Sequence, residues 1–206
     1  MNEESNQGFE FPEKYHTHQE LNNELKKLCN QYPDLVTQHK LGISTEEKDI
    51  LGFIINSKQK NLKDKPTSII IGCHHGRECI TSEAAYYSMN YLLKNYSENK
   101  QIYEWIDKSA IIYIPMLNPD GHDIVIRKNG NRVDLNRNYT FNWGHVPGCS
   151  HDPKSQIYCG PTKLSEIESQ LVNKMKIIDD LFEKFKNIKS SLDIHSGADI
   201  VMYPWG

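Results

Sequence analysis

The run Ser68-Ile69-Ile70-Ile71-Gly72 limits the fold more than any other segment. A short β-branched run without polar alternation suits a strand covered on both faces, since a half-buried strand would alternate. Such a sheet needs helices on each side. The flanking sequence supplies the pieces. Thr17 with Glu20 is a capping-box pattern, and Leu21, Leu25 and Leu28 recur at helical spacing, so a helix is expected over 18–31. Residues 35–41 and 49–56 read as a hairpin around a polar turn, and 58–66 as a lysine-rich loop. Residues 80–95 read as a helix and 109–115 as a second fully buried strand, followed by the turn residues Asn118-Pro119-Asp120-Gly121. Residues 128–162, rich in Asn, Gly and Pro, read as a long structured loop. Ser165 with Glu168 suggests a second capping box, opening a helix with the stripe Ile167, Leu171, Met175, Ile178, Phe182 and Phe185. Residues 191–194 read as a third short strand. The alternation of strand and helix after residue 67 predicts an α/β fold, with no internal repeat and no linker.

Charge and composition exclude several classes of function. Lys and Arg number 24 against 27 Asp and Glu, a formal charge of −3, so no basic field predicts a nucleic-acid partner. No apolar run is long enough to span a membrane. The start Met1-Asn2-Glu3-Glu4 lacks the basic and apolar regions of a secretory signal, so a cytoplasmic location is the default expectation, and a secreted one if the true start lies upstream. The five cysteines, Cys29, Cys73, Cys79, Cys149 and Cys159, form no C-x-x-C pair. Cys149 and Cys159 are compatible with a disulfide in an oxidising compartment or two free thiols in a reducing one.

Only four of the 24 basic residues are arginine: Arg77, Arg127, Arg132 and Arg137. A guanidinium offers a planar, permanently charged fork for a carboxylate or a polarised carbonyl. All four lie between positions 77 and 137, among His, Glu and Asn. His75 and Glu78 follow the strand at 68–72, and His195 follows the strand at 191–194. In open α/β sheets ligands collect beyond the carboxyl ends of the strands, so the two histidines are expected to converge there. Two imidazoles and a carboxylate form an open zinc set. A lone histidine at a strand end is ordinarily structural, and H-x-x-E is common by chance. His74 is an alternative ligand, with Glu78 four residues on. In the polar loop, Arg127 and Arg137 are candidates for oxyanion and carboxylate contacts.

Five segments then occur in order: CHHGRECITSEA at 73–84, LNPDG at 117–121, VDLNRNY at 133–139, YCGP at 158–161 and DIHSGADIVMYPWG at 193–206. Together they resemble the zinc metallocarboxypeptidase family of the carboxypeptidase A/B type. The resemblance runs from about Tyr15 to the last residue and leaves residues 1–14 as a loose lead-in. It implies a carboxypeptidase-like domain over 15–206 with a mixed central sheet flanked by helices. It also implies one zinc ion per chain, held by His75, Glu78 and His195, and so selects His75 over His74. By the same resemblance Arg127 polarises the scissile carbonyl and holds the oxyanion. Asn136 and Arg137 grip the substrate's terminal carboxylate, Arg77 and Ser196 line the cleft, and Asp134 orients the His75 ring. Arg132 has no motif position and reads as a surface residue. The implied activity is zinc-dependent hydrolysis of the last peptide bond, with peptide or protein C-termini as substrate and a monomer as the working unit.

The sequence departs from the family pattern in places. The family's general-base glutamate lies well beyond D-I-H-S, and this sequence stops about ten residues after His195. The expectation is an incomplete domain lacking its last third, which would leave sheet edges exposed, and a possible alternative role in binding zinc and C-termini without turnover. Cys79 stands where relatives often carry Trp, and Gly197 where an aromatic is common.

Overall fold

The computed structural model describes residues 14–57, 62, 65–145, 148–177, 187–198 and 200–202. Five strands form one sheet: β1 (Val36–Ile43), β2 (Asp49–Ile55), β3 (Thr67–Ile71), β4 (Ala110–Ile114) and β5 (Ile188–Asp193). Their order is β1-β2-β4-β3-β5. β1 and β2 make the expected antiparallel hairpin, and β2 pairs antiparallel with β4. β3 runs parallel to both β4 and β5. The sheet is therefore mixed, with its parallel part around the triple-isoleucine strand.

Successive side chains of a strand point to opposite faces, and both faces here are filled. On one face Phe53, Ile55 and Tyr113 pack with Leu21, Leu25 and Leu28 of α1 (His18–Gln31), Met89 and Leu93 of α2 (Cys79–Lys94), and Ile102 and Ile106 of α3 (Lys100–Lys108). On the other, Ile54, Ile69, Ile71, Ile112 and Ile114 meet Val172 of a later helix, with Ile167 and Leu171 against them. Ile70 packs on the first face and its neighbours Ile69 and Ile71 on the second. This period of two is why the run can be apolar throughout.

The Thr17 capping box is present: the hydroxyl accepts from the Glu20 amide, and the Glu20 carboxylate accepts from the Thr17 amide. Other local expectations need correction. α3 was not expected, although Asn99 caps it, accepting from the Gln101 and Ile102 amides. Its nine residues bury Ile102 and Ile106 on one face, an i, i+4 spacing that is helical but runs for little more than two turns. Residues 118–121 begin a short helix, α4 (Pro119–Asp123), with Asn118 accepting from the Gly121 amide. The second capping box does not form. The last helix, α5 (Ile167–Ile177), starts one residue later than a Ser165 cap requires. The Ser165 hydroxyl instead accepts from Asn138 Nδ2 and donates to Glu166. β5 begins at Ile188, three residues earlier than expected, and among the described residues no strand pairs with its outer edge. The expected stripe residues Ile178, Phe182 and Phe185, the Tyr203–Gly206 end of the last motif, and most of the lead-in and of the lysine-rich loop lie outside the described residues.

The loop after β4 is anchored by buried polar groups. Asn129 Nδ2 donates to Glu166 at 2.7 Å and to Glu168 at 3.2 Å, and Asn131 donates to Glu166 at 2.9 Å. Glu168 is fully buried, and its second oxygen has no partner among the described residues. Burial pushes its carboxyl up to about 7, helped by charge on Glu166 and Asp120 and opposed by its backbone amide and Asn129. The native state thus holds this proton between an ordinary carboxyl value near 4.5 and about 7, where the unfolded chain has lost it. Stability from this group falls as pH rises through that window. Glu168→Gln should therefore stabilise the fold at about pH 8 by up to ~3 kcal/mol and bring no gain at about pH 4, as measured by urea unfolding. Equal effects at both pH values would contradict the assignment.

Candidate metal centre and substrate cleft

The parallel strands β3 and β5 end side by side, with Ile71 in register with Asp193. The residues just beyond both ends therefore face the same crevice. After β3 the chain turns at Cys73, whose φ of 60° is left-handed. That conformation costs a non-glycine residue roughly 1–2 kcal/mol. It is held by the Cys73 amide donating to Thr81 Oγ1 and its carbonyl accepting from the Asn118 amide. The loop then lies against the start of α4 so closely that a Cβ on Gly76 would stand 2.0 Å from the Gly121 carbonyl carbon. Only glycine fits there. The two motifs H-G-R-E and N-P-D-G are thus one packed unit.

Three side chains converge beyond the strands. His75 Nδ1 lies 2.8 Å from Glu78 Oε1, and His195 Nδ1 lies 3.0 Å from Glu78 Oε2. The two Nδ1 atoms are 3.2 Å apart. The outer nitrogens are already committed, His75 Nε2 to Asp134 Oδ1 at 3.2 Å and His195 Nε2 to Asp193 Oδ2 at 3.2 Å. Carboxylates thus flank both ends of each ring, and in the tautomer that donates outward from Nε2 each Nδ1 presents a lone pair toward Glu78. Two lone pairs and a carboxylate then face one another at repulsive distances. A proton or a cation between them resolves the conflict, and two imidazoles with one carboxylate suit a divalent zinc ion.

The charge balance agrees. Burial disfavours charge on His195, but Asp193 and Glu78 outweigh it and raise the imidazole to about 9. Without a metal, a proton supplies the missing positive charge. Burial would raise the Glu78 carboxyl, yet the bonds to His195 and His75 hold it well below the usual carboxylate range. Asp134 is fully buried; the same opposition, with His75 and Arg127 outweighing burial, keeps it lowered.

His74 lies alongside. His74, Asp193 and His195 also gather their donor atoms into one group. Yet His74 Nδ1 contacts Asp193 Oδ1 at 2.8 Å, and its Nε2 is hydrogen-bonded to the Tyr139 hydroxyl. Burial lifts the Tyr139 phenol well above its ordinary value, so it keeps its proton and donates. Both His74 nitrogens are then satisfied, whereas His75 keeps a lone pair aimed at Glu78.

Arg127 adjoins the cluster. Its Nε and Nη2 donate to Asp134 Oδ2 at 2.9 and 2.8 Å, and its Nη1 is 3.5 Å from His75 Nδ1. Asp134 therefore braces both the histidine and the guanidinium, and its Oδ1 also caps the turn Leu135–Arg137 by accepting from the Asn136 amide. Asn136 is exposed on that turn. Arg137 is oriented by donating from Nε to the Gly148 carbonyl at 3.0 Å and from Nη1 to the Asn136 carbonyl at 3.1 Å. Neither touches the His75–Glu78–His195 group directly. Buried Asn138 pins the turn from behind through the Cys159 and Thr162 carbonyls and Ser165. Ser196 contributes its backbone amide, which donates to Glu78 Oε2 at 3.2 Å. Cys79, buried, donates its thiol to the Gly76 carbonyl at 3.5 Å.

Arg77, Arg127 and Arg132 share a cleft of about 220 Å³ with Lys128 and Gln156. Arg132 is exposed, as its reading as a surface residue expects, and it also lines the rim of this cleft. Its left-handed φ of 63° turns the chain there, and only the clustering of the four arginines hinted at this in the sequence.

Residues 21–206 match the family described as Zinc carboxypeptidase. The chain is 32% identical over 208 residues to carboxypeptidase B of Astacus astacus, covering 93% of this chain and 64% of that protein. It is 27% identical to the inactive metallocarboxypeptidase ecm14 of Schizosaccharomyces pombe, covering 95% of this chain and 42% of the relative. The fold is similar to that of thrombin activatable fibrinolysis inhibitor, with a TM-score of 0.80, 26% identity, and 90% of this chain and 48% of the other covered. The chain spans about half to two thirds of the length of these proteins.

If Asp134 sets the ring of His75, Asp134→Asn should weaken zinc binding about 10- to 100-fold in titration calorimetry. Unchanged affinity would remove that role.

Proposed function

The chain belongs to the zinc carboxypeptidase family, and from this premise we propose that the protein carrying it hydrolyses the C-terminal peptide bond of peptides and proteins with one zinc ion at His75, Glu78 and His195. The convergence of two imidazole lone pairs and an ionised carboxylate carries the proposal. When bound, zinc supplies Lewis acidity, polarising a carbonyl and acidifying water.

The remaining work falls to the chain's own residues. Asp134 and Asp193 hold the outer protons of the two rings, so the inner nitrogens stay available. Arg127, fixed on Asp134 through two nitrogens, points a third toward the cluster, where it stabilises negative charge developing on the carbonyl oxygen. Asn136 and Arg137 bind the substrate's terminal carboxylate. The Gly148 and Asn136 carbonyls orient the Arg137 fork before substrate arrives, so less side-chain freedom is lost on binding. Arg77, with Arg132, lines the approach and meets the carbonyls of preceding residues, and Ser196 lies beside Glu78 on the same cleft.

A second reading is a protein that binds zinc and C-termini without turnover. It is favoured by a relative that is itself named inactive. Base-assisted proton transfer typically contributes about 10²–10⁴-fold.

The test is hydrolysis of an N-blocked dipeptide by the protein, with and without chelator, beside the same peptide amidated at its C-terminus. Zinc-dependent release from the free acid alone is expected. Arg127→Ala should lower kcat about 10²–10³-fold, while Arg137→Ala should chiefly raise KM and blunt the preference for the free acid. Chelator-insensitive cleavage, or equal cleavage of the amide, would overturn the proposal. One equivalent of zinc with no release would establish the second reading.

A further inference from the structure

The sulfurs and the imidazole of the segment from Cys149 to Cys159 take no part in the chemistry above. It folds back on itself. The Ser150 amide donates to the Ile157 carbonyl at 3.0 Å, and the Cys159 amide donates to the Ser150 carbonyl at 3.0 Å. This brings both sulfurs and the His151 ring to one place. Donor atoms of Cys149, His151 and Cys159 all lie within 4.8 Å of one another. Cys159 Sγ is 3.8 Å from His151 Nδ1. Ligands sharing one tetrahedral zinc ion, with Zn–S about 2.3 Å and Zn–N about 2.0–2.1 Å, stand roughly 3.6–3.8 Å apart. The sulfur–nitrogen spacing is therefore already that of a shared ion.

We propose that Cys149, His151 and Cys159 form a second metal site, for zinc or another thiophilic divalent ion, chemically distinct from the His75–Glu78–His195 centre. Two thiolates and an imidazole are a softer set than two imidazoles and a carboxylate. The three burial levels suit a site with an entrance: Cys159 is buried, Cys149 partly buried and His151 exposed. Binding forms two metal–thiolate bonds and one metal–imidazole bond and releases the two thiol protons to solvent. In the metal-free state the Cys159 thiol donates to the Ser150 carbonyl at 3.2 Å, a bond the ion would replace.

The surroundings give the site a purpose. Gly148, beside Cys149, holds Arg137 through its carbonyl. Tyr158, beside Cys159, accepts from the Asp134 amide, and the Cys159 carbonyl accepts from Asn138 and Trp143. An ion joining the two cysteines would tie both ends of this loop to the turn that carries Asp134, Asn136 and Arg137. The Trp143 ring stands edge-on to His151, with centroids 5.5 Å apart.

Cobalt(II) added to the reduced protein distinguishes the sites, because only thiolate ligands give the intense near-ultraviolet sulfur-to-cobalt charge-transfer absorption. The His75 centre has no sulfur ligand. The expected result is this absorption, its loss in both Cys149→Ser and Cys159→Ser, weaker binding in the exposed-site variant His151→Ala, and displacement of cobalt by zinc. Circular dichroism confirms that each variant is folded. Absence of the band in folded, reduced wild type would overturn the proposal. So would persistence of the full band in both cysteine variants, or alkylation and mass measurement of the non-reduced protein finding Cys149 and Cys159 joined as a disulfide.

Discussion

His75, His195 and Glu78 bring two ring nitrogens and a carboxylate within about 3 Å of one another, an arrangement that a positive charge between them stabilises. That constraint organises the end of the sheet. Asp134 and Asp193 stand at the outer nitrogens of His75 and His195 and favour the tautomer that leaves the inner nitrogens free for a cation. A proton on His195 or a divalent ion is left as the remedy. The ion is the stronger one, because it accepts all three electron pairs at once.

The fold makes the crowding possible. His75 and Glu78 are near in sequence, but His195 comes 117 residues after Glu78. The parallel pairing of β3 with β5 brings it alongside, with Ile71 opposite Asp193. The strained turn at Cys73 and the Gly76–Gly121 contact then fix the direction of the loop. Asp134 links this centre to Arg127 and to the turn bearing Asn136 and Arg137, since its carboxylate meets the His75 ring, the Arg127 guanidinium and the Asn136 backbone amide. The softer cluster at Cys149, His151 and Cys159 lies behind that turn and bears on the same residues from the other side.

Sequence patterns exposed much of this architecture where one force acted alone. The Leu21, Leu25 and Leu28 stripe and the Thr17 box mark α1 because its packing and capping agree. The isoleucine run marks β3 because covering both faces removes the need for alternation. Reading failed where partners lay far away. Ser165 and Glu168 have the spacing of a capping box, but Asn138, Glu166 and Asn129 compete for their oxygens. α3 offers only two buried residues to betray it. Arg132 belongs to no motif, and the cleft it shares with Arg77 and Arg127 exists only once the loops are folded.

The sequence by itself determined α1, the hairpin, β3, α2 and β4, the strand-end positions of His75 and His195, and the order of motifs that marks the family. Local spacing and burial pattern suffice for these. It did not decide between His74 and His75 on chemistry alone. Adjacent residues share the same local pattern, and only the folded chain shows that Tyr139 and Asp193 hold one ring while Asp134 and Glu78 flank the other. Nor could spacing show that Cys149, His151 and Cys159 meet within one ion's reach. Such convergence depends on long-range hydrogen bonds and chain reversal, which exist only in the tertiary structure.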